Sequence, residues 1–179
     1  IFSYATAWLL LLNVFSLFGI HDLIIRELAA FQVRLDWPRL KGMLVWAQST
    51  VFFFSVLVAL LFVLLSGQFL GNVGARQFNV LWLALLILPL LSQIRLGASI
   101  LRSLDKIVLG QIPNTVIIPA CFIALVGLLK VNDALTVFSV MGAYLIARGV
   151  AFVASAVWVN RTLPEQIRDI RALYDWQTW

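Results

Sequence analysis

Apolar runs of about 20 residues alternate with short polar segments along the whole chain. An α-helix of that length crosses a bilayer core about 30 Å thick, because each residue adds ~1.5 Å. The pattern predicts five membrane-spanning helices, at residues 1–20, 43–66, 80–101, 112–129 and 134–158. These runs do not show the short alternating strands of a membrane β-barrel. The predicted fold class is therefore an all-α integral membrane bundle.

Two polar segments, residues 21–42 and 161–179, have apolar stripes at helical spacing, which is typical of amphipathic helices at the membrane interface. The first stripe consists of Ile24, Leu28, Phe31 and Leu35. Asp36, two positions before a proline, predicts a helix start with its carboxylate as the cap. Thr162 and Glu165 fit a capping box that begins the second interfacial helix.

Two consecutive predicted spans, residues 80–101 and 112–129, each contain a proline near the middle, Pro89 and Pro119. A proline inside a helix removes a backbone hydrogen bond, and in lipid the freed carbonyl needs protein or water as a partner. We therefore expect this hairpin, joined by a basic turn at residues 95–111, to be bent and packed inside the bundle. Pro89 and Pro119 are candidate hinges, with static kinks as the alternative.

Composition and charge support this class and predict an orientation. Of 179 residues, 63% are hydrophobic and 12% charged, whereas soluble domains are about half apolar and a quarter charged. Ten of the 13 Lys and Arg residues lie in the segments at 21–42, 95–111 and beyond 160, two lie in the opposite loops, and Arg148 lies inside a span. Because cations concentrate in cytoplasmic loops, residue 1 is expected outside and the C-terminus inside. The same rule explains the net charge of +5, so nucleic acid is not an expected partner.

Polar side chains on the first predicted span have two interpretations. Thr6, Asn13 and Ser16 are spaced so that they share one helix face. They either form hydrogen bonds to a neighbouring helix or line one wall of a polar cavity.

Arg148 is the one charge well inside a predicted span. Tyr144 lies one helical turn before it, where the phenol ring or hydroxyl is positioned to hold the guanidinium. Gly142, Gly149 and Ala156 recur every seven residues and predict a seam for close helix packing. Arg148 is either a structural arginine satisfied by helix carbonyls or a cavity arginine that meets an anionic group.

Two segments resemble a known transporter group. Residues 18–29 are similar to the segment after the second span in oligosaccharide-lipid flippases of the multidrug/oligosaccharidyl-lipid/polysaccharide (MOP) superfamily. Residues 95–119, with Leu101-Arg102, Gly110-Gln111 and Pro113, resemble the connection between the fourth and fifth spans of the same group.

The resemblance implies an architecture of two six-helix lobes around a central cavity that opens alternately to each side. Residues 1–160 would form most of the N-terminal lobe, beginning in its second helix, and residues 161–179 would link it to a C-terminal lobe that this chain lacks. The implied location is a bacterial or archaeal cytoplasmic membrane.

The function implied by the resemblance is flipping of a lipid-linked oligosaccharide, a polysaccharide precursor with a polyprenyl tail and an anionic diphosphate. The candidate substrate-binding residues are Arg148, Tyr144, Asn13, Thr6 and Ser16. The candidates for an inner gate at the cytoplasmic edge are Arg26, Glu27, Arg95, Arg102 and Asp105. We expect Glu27 to pair with Arg95 or Arg102 when the inner side is closed; exposed charges near lipid headgroups are the alternative.

Two other functions remain open on the sequence. A cation-coupled multidrug exporter of the same superfamily would need an acid within a span, and all eight acids fall outside the predicted spans. A membrane enzyme of polysaccharide synthesis would need catalytic groups, and the sequence has no evident metal cluster, nucleophile–base pair or paired carboxylates. We therefore expect no enzymatic activity, no cofactor and no metal.

Overall fold

The protein is all-helical wherever its structure, a computed structural model, describes it: residues 7, 10–14, 20–34, 36–69, 75–133 and 135–163. The elements are α1 (Ile20–Val33), α2 (Trp37–Phe69), α3 (Ala75–Ser103), α4 (Ile107–Ile112), a π-helical segment (Pro113–Ile117), α5 (Ile118–Val131) and α6 (Val137–Thr162). Residues 10–14 are also helical.

The all-α class is confirmed, and four described helical stretches are long and apolar enough to cross a membrane, as a membrane protein requires. They are Trp37–Leu64, Leu85–Ser103, Ile107–Val131 and Val137–Thr162. They correspond to the second to fifth predicted spans. The first predicted span and the predicted linker at 161–179 lie mostly outside the described residues.

The connection between the third and fourth spans is shorter than the sequence predicted. The basic turn predicted at residues 95–111 is wrong, because α3 continues through Ser103 and α4 begins at Ile107. Arginine is a good helix former, so a change from apolar to basic residues does not end a helix. Arg95 consequently lies within α3.

α2 begins earlier than its predicted span, because residues 37–42 continue directly into it as one helix. The predicted helix start is confirmed. The Arg39 backbone N–H donates to Asp36 Oδ1 at 3.4 Å, and the proline lies in the first turn, where a missing N–H costs little.

α3 is the central helix of the described bundle. It packs against α1, α2, α4 and α6. In the apolar stretch of its candidate membrane span, 67% of the residues are buried, compared with 11–28% in the other three candidate spans. The predicted apolar face of α1 is confirmed for Ile24, Leu28 and Phe31, while Leu35 lies outside the described residues. This face is covered by α2 and α3, through residues that include Met43, Ala47, Ile100 and Leu101.

The predicted burial of the proline hairpin is correct for α3 but wrong for the returning arm. Only 11% of the residues in the apolar stretch of Ile107–Val131 are buried. This arm is apolar on all sides, so its hydrophobicity does not specify which face is buried. Pro119 follows the π-helical segment, in which the Ile118 N–H donates to the Pro113 carbonyl. The sequence analysis placed no π-helix here.

The small-residue seam predicted on α6 is also wrong. A Cβ added at Gly142 or Gly149 would meet nothing within 4 Å. The buried small residues instead recur every four positions: Ala143, Ala147, Ala151 and Ser155. Ser155 lies so close to Gly97 of α3 that a Cβ there would be 2.4 Å from the hydroxyl oxygen.

Candidate functional site: a buried arginine centre

Arg148 lies buried in α6, with 7% of its surface exposed. Its Nη2 donates to the Tyr144 hydroxyl oxygen at 2.5 Å, and its Cζ is 4.8 Å from the centre of the Tyr144 ring. The predicted contact between these two residues is therefore confirmed. It follows from helix geometry, because residues four apart lie on the same face.

Tyr144 is held in turn by α5. The Phe122 ring packs edge-on against it, with centroids 5.6 Å apart and planes at 78°. Tyr144 also packs on the cluster of Ile94, Ile118 and Ala151, which joins α3, α5 and α6. Three helices thus position the phenol that orients the guanidinium.

The guanidinium of Arg148 is only partly satisfied within the described part of the chain. Nε and Nη1 are buried and have no hydrogen-bond partner there. The alternative of an arginine satisfied by helix carbonyls is therefore not what the described residues form. A buried charged donor without a partner is costly, so these two N–H groups are suited to an acceptor from outside the described chain.

Arg95 is the second charge of this centre, and sequence reasoning placed it elsewhere. α3 and α6 run in the same direction, because Leu88 packs with Met141 and Ile94 with Ala151. Arg95, half-buried on α3, directly follows Ile94, which packs with Ala151 and Tyr144 of the helix that contains Arg148, so the two positive charges lie in the same region of the bundle. The apolar pattern that continues past residue 95 was the available signal for this position.

The acids whose side chains are described lie away from these two arginines. Glu27 contacts Arg26 at 3.2 Å and Asp36 contacts Arg39 at 3.4 Å. The other two, Asp105 and Asp133, are exposed in turns. Within the described residues, Arg148 and Arg95 therefore form a cationic centre without a carboxylate; we call it the arginine centre.

The predicted inner gate is only partly assembled. Arg26, Arg102 and Asp105 are exposed, whereas Arg95 lies about two turns inside α3 rather than at its edge. In this conformation Glu27 pairs with its neighbour Arg26. Its pairing with Arg95 or Arg102 in a closed state stays a prediction.

Asn13 forms a contact between helices. It is fully buried, and its Nδ2 donates to the Ser92 hydroxyl oxygen at 3.0 Å. Ser92 Oγ in turn donates to the Leu88 carbonyl at 3.0 Å. This is the first of the two interpretations of the polar face, helix–helix hydrogen bonding. Thr6 and Ser16 lie outside the described residues.

Comparison of the chain with protein-family models, with curated proteins and with solved structures finds no match. The geometry of the arginine centre is therefore the main basis for a functional assignment.

Proposed function

We propose that this chain is part of a membrane transporter that flips lipid-linked oligosaccharide across the cytoplasmic membrane by alternating access. The observation that supports this proposal most is the arginine centre. Arg148 and Arg95 each lie within a different candidate membrane-spanning helix, and among the described residues no carboxylate lies beside them. An arginine near the bilayer centre costs roughly 2.5–3.5 kcal/mol on insertion scales. A functional anion would explain why two such charges are retained close together.

The proposed ligand of the centre is the diphosphate of a polyprenyl-diphosphate-linked oligosaccharide. The guanidinium fork matches phosphate oxygens and stays charged when water is removed. Tyr144 occupies Nη2 and leaves Nε and Nη1 of Arg148 for phosphate oxygens. Arg95 supplies a second positive charge for the second phosphate.

The rest of the proposal concerns architecture. The chain would work with a second lobe, and its C-terminus would face the cytoplasm, as the distribution of cations predicts. Pro89 and Pro119 would bend as the cavity changes its opening; a π-helical segment beside Pro119 favours such a role, since these segments are frequent at functional sites.

A cation-coupled exporter is less well supported. It would need an acid inside a span to bind the coupling ion. Among the described residues, no acid lies within a candidate membrane-spanning helix.

Substitution of Arg148 in the intact transporter tests the proposal. In vesicles loaded with fluorescent lipid-linked oligosaccharide, Arg148→Ala should reduce the flipping rate at least ~30-fold, because loss of a buried charged contact costs roughly 2 kcal/mol or more. Arg148→Lys should keep part of the rate, since it keeps the charge but not the fork. Arg34→Ala, which removes an exposed arginine at the end of α1, should transport normally.

Two results would contradict the proposal. One is a normal flipping rate for Arg148→Ala. The other is a defect confined to loss of folded protein, with a normal rate per folded molecule.

A further inference from the structure

A second polar feature lies between α2 and α6, over α3. Two adjoining cavities of about 470 Å³ and 230 Å³ share Gln48, Val159 and Asn160 in their walls. Their polar lining residues are Lys41, Gln48, Gln93, Ser155 and Asn160. We call this pair of cavities the amide groove.

The amide groove runs from one end of the bundle into the membrane region. Lys41 is near the start of α2 and Asn160 near the end of α6, so both mark its outer end. Gln48 lies seven residues further along α2, or ~10 Å deeper. The polar interface of a bilayer is only about 5–8 Å thick on each side. With Lys41 at the level of the lipid phosphates, the inner amides would lie where lipid ester groups give way to hydrocarbon.

The deep part of the groove is built by contacts that α3 makes with α2 and with α6. Gln93 Nε2 of α3 donates to the Gln48 carbonyl of α2 at 2.9 Å, and Gly97 forms part of the floor opposite Ser155. The Gln48 side chain itself is exposed. Exposed amides at this depth are expensive unless a polar ligand reaches them.

The charge and the walls of the groove define its occupant. Among the described residues that line the groove, Lys41 is the charged one. Arg161, exposed beside Asn160, adds positive charge at the same end. The outer cavity is otherwise bordered by Leu44, Val45, Val159 and Leu163, which suit acyl chains. One kind of molecule matches this arrangement. It has a phosphate to place near the cations, ester oxygens to place near the amides, and acyl chains to lie along the apolar wall.

We propose that the amide groove binds an anionic glycerophospholipid from the leaflet on the Lys41 side. The phosphate contacts Lys41 and the glycerol esters accept hydrogen bonds from the amide of Gln48. Selectivity for a net negative headgroup arises because a zwitterionic lipid would bring an ammonium group towards Lys41 and Arg161. Such a lipid would bridge α2 and α6, which both pack against α3, and would couple their separation to the composition of the leaflet.

Lipid retention measured by native mass spectrometry tests this site. The protein is extracted with mild detergent from vesicles of phosphatidylcholine that contain phosphatidylglycerol. Wild type should retain phosphatidylglycerol in preference to phosphatidylcholine. Lys41→Gln should lower this retention about fivefold, the effect of one lysine near an anionic lipid surface.

Matched variants separate a specific site from general attraction. Lys106→Gln makes the same charge change at an exposed lysine after α3 and should retain lipid like wild type. Lys41→Arg should also retain it, and Gln48→Leu should lower retention with the net charge unchanged. Circular dichroism and gel filtration of each variant establish that it is folded.

Three outcomes would overturn the proposal. Equal retention of both lipids in wild type would remove the selectivity, and equal losses in Lys41→Gln and Lys106→Gln would indicate a diffuse surface effect. If Lys41→Gln and Gln48→Leu slowed flipping of lipid-linked oligosaccharide while phosphatidylglycerol retention stayed normal, the groove would be part of the substrate path instead. Because the main readout is lipid retention, it does not depend on the transport function proposed above.

Discussion

At the scale of single residues, Arg148 is oriented by a side chain of its own helix that is itself positioned by a residue of another helix. Tyr144 accepts one hydrogen bond from the guanidinium, and Phe122 packs against the Tyr144 ring. The residue on α6 that meets the charge was predictable, because positions four apart share a face. The partner on α5 was not, because it depends on how two helices are rotated against each other.

Tyr144→Phe tests the energy of this contact. The substitution keeps the ring beside Phe122 but removes the hydroxyl that accepts from Arg148, so the unfolding free energy should fall by about 1–2 kcal/mol. Thermal unfolding in detergent, followed by circular dichroism, measures the change. In an Arg148→Ala background the same substitution should have little effect. An equal loss in both backgrounds would show that the hydroxyl stabilises the protein through some other contact.

At the scale of elements, α3 and α4 approach each other closely at Gly110. A Cβ added at Gly110 would lie 2.9 Å from the Ala98 carbonyl oxygen and 3.3 Å from its Cα. Both are backbone atoms of the central helix, which cannot rotate away as a side chain does. The loop of three residues between Ser103 and Ile107 holds the two helices at this distance.

Gly110→Ala should therefore destabilise the protein by about 1–3 kcal/mol, the usual range for overpacking a tight contact. The matched control is Gly127→Ala on α5, where an added Cβ meets nothing within 4 Å. That variant should be as stable as wild type or gain roughly 0.5 kcal/mol from reduced backbone freedom. The unfolding midpoints of the two variants, measured under the same conditions, test this difference in stability. Equal midpoints would mean that α4 moves away from α3 easily.

At the scale of the whole molecule, the described helices form a bundle around α3, with α2, α5 and α6 presenting broad apolar surfaces. Exposed residues such as Phe53, Leu64, Ile123 and Val153 are each more than half exposed. Surfaces of this kind suit lipid or further helices rather than water. The helices themselves do not specify the direction in which the bundle is inserted; the distribution of cations predicts it.

Cysteine labelling in intact cells tests that direction. In a background with Cys121→Ala, a cysteine at Lys106 should react only with a reagent that enters the cytoplasm, and one at Asn132 with an impermeant reagent. The two positions are exposed and lie at opposite ends of Ile107–Val131, a helix of 25 residues and thus ~38 Å. Labelling of both from one side would exclude a membrane-spanning arrangement of this helix.

The sequence alone determined the features that depend on local composition. The all-α class and the second to fifth spans follow from apolar runs of sufficient length, and the start of α2 follows from Asp36 and the proline after it. These are local because burial in lipid and capping of a helix are decided by residues within one segment. The contact between Arg148 and Tyr144 belongs here too, since one helix contains both.

Only the tertiary structure decided the features that depend on which faces meet. It extended α3 past Arg95 and brought that charge near Arg148, where a reading based on charge had placed it in a turn. It used Ala143, Ala147, Ala151 and Ser155 for packing on α6 and left Gly142 and Gly149 uncovered. It buried α3 while leaving the more apolar arm at Ile107–Val131 exposed. The physical reason is that membrane helices are apolar on every side, so hydrophobicity does not distinguish a face that meets protein from one that meets lipid.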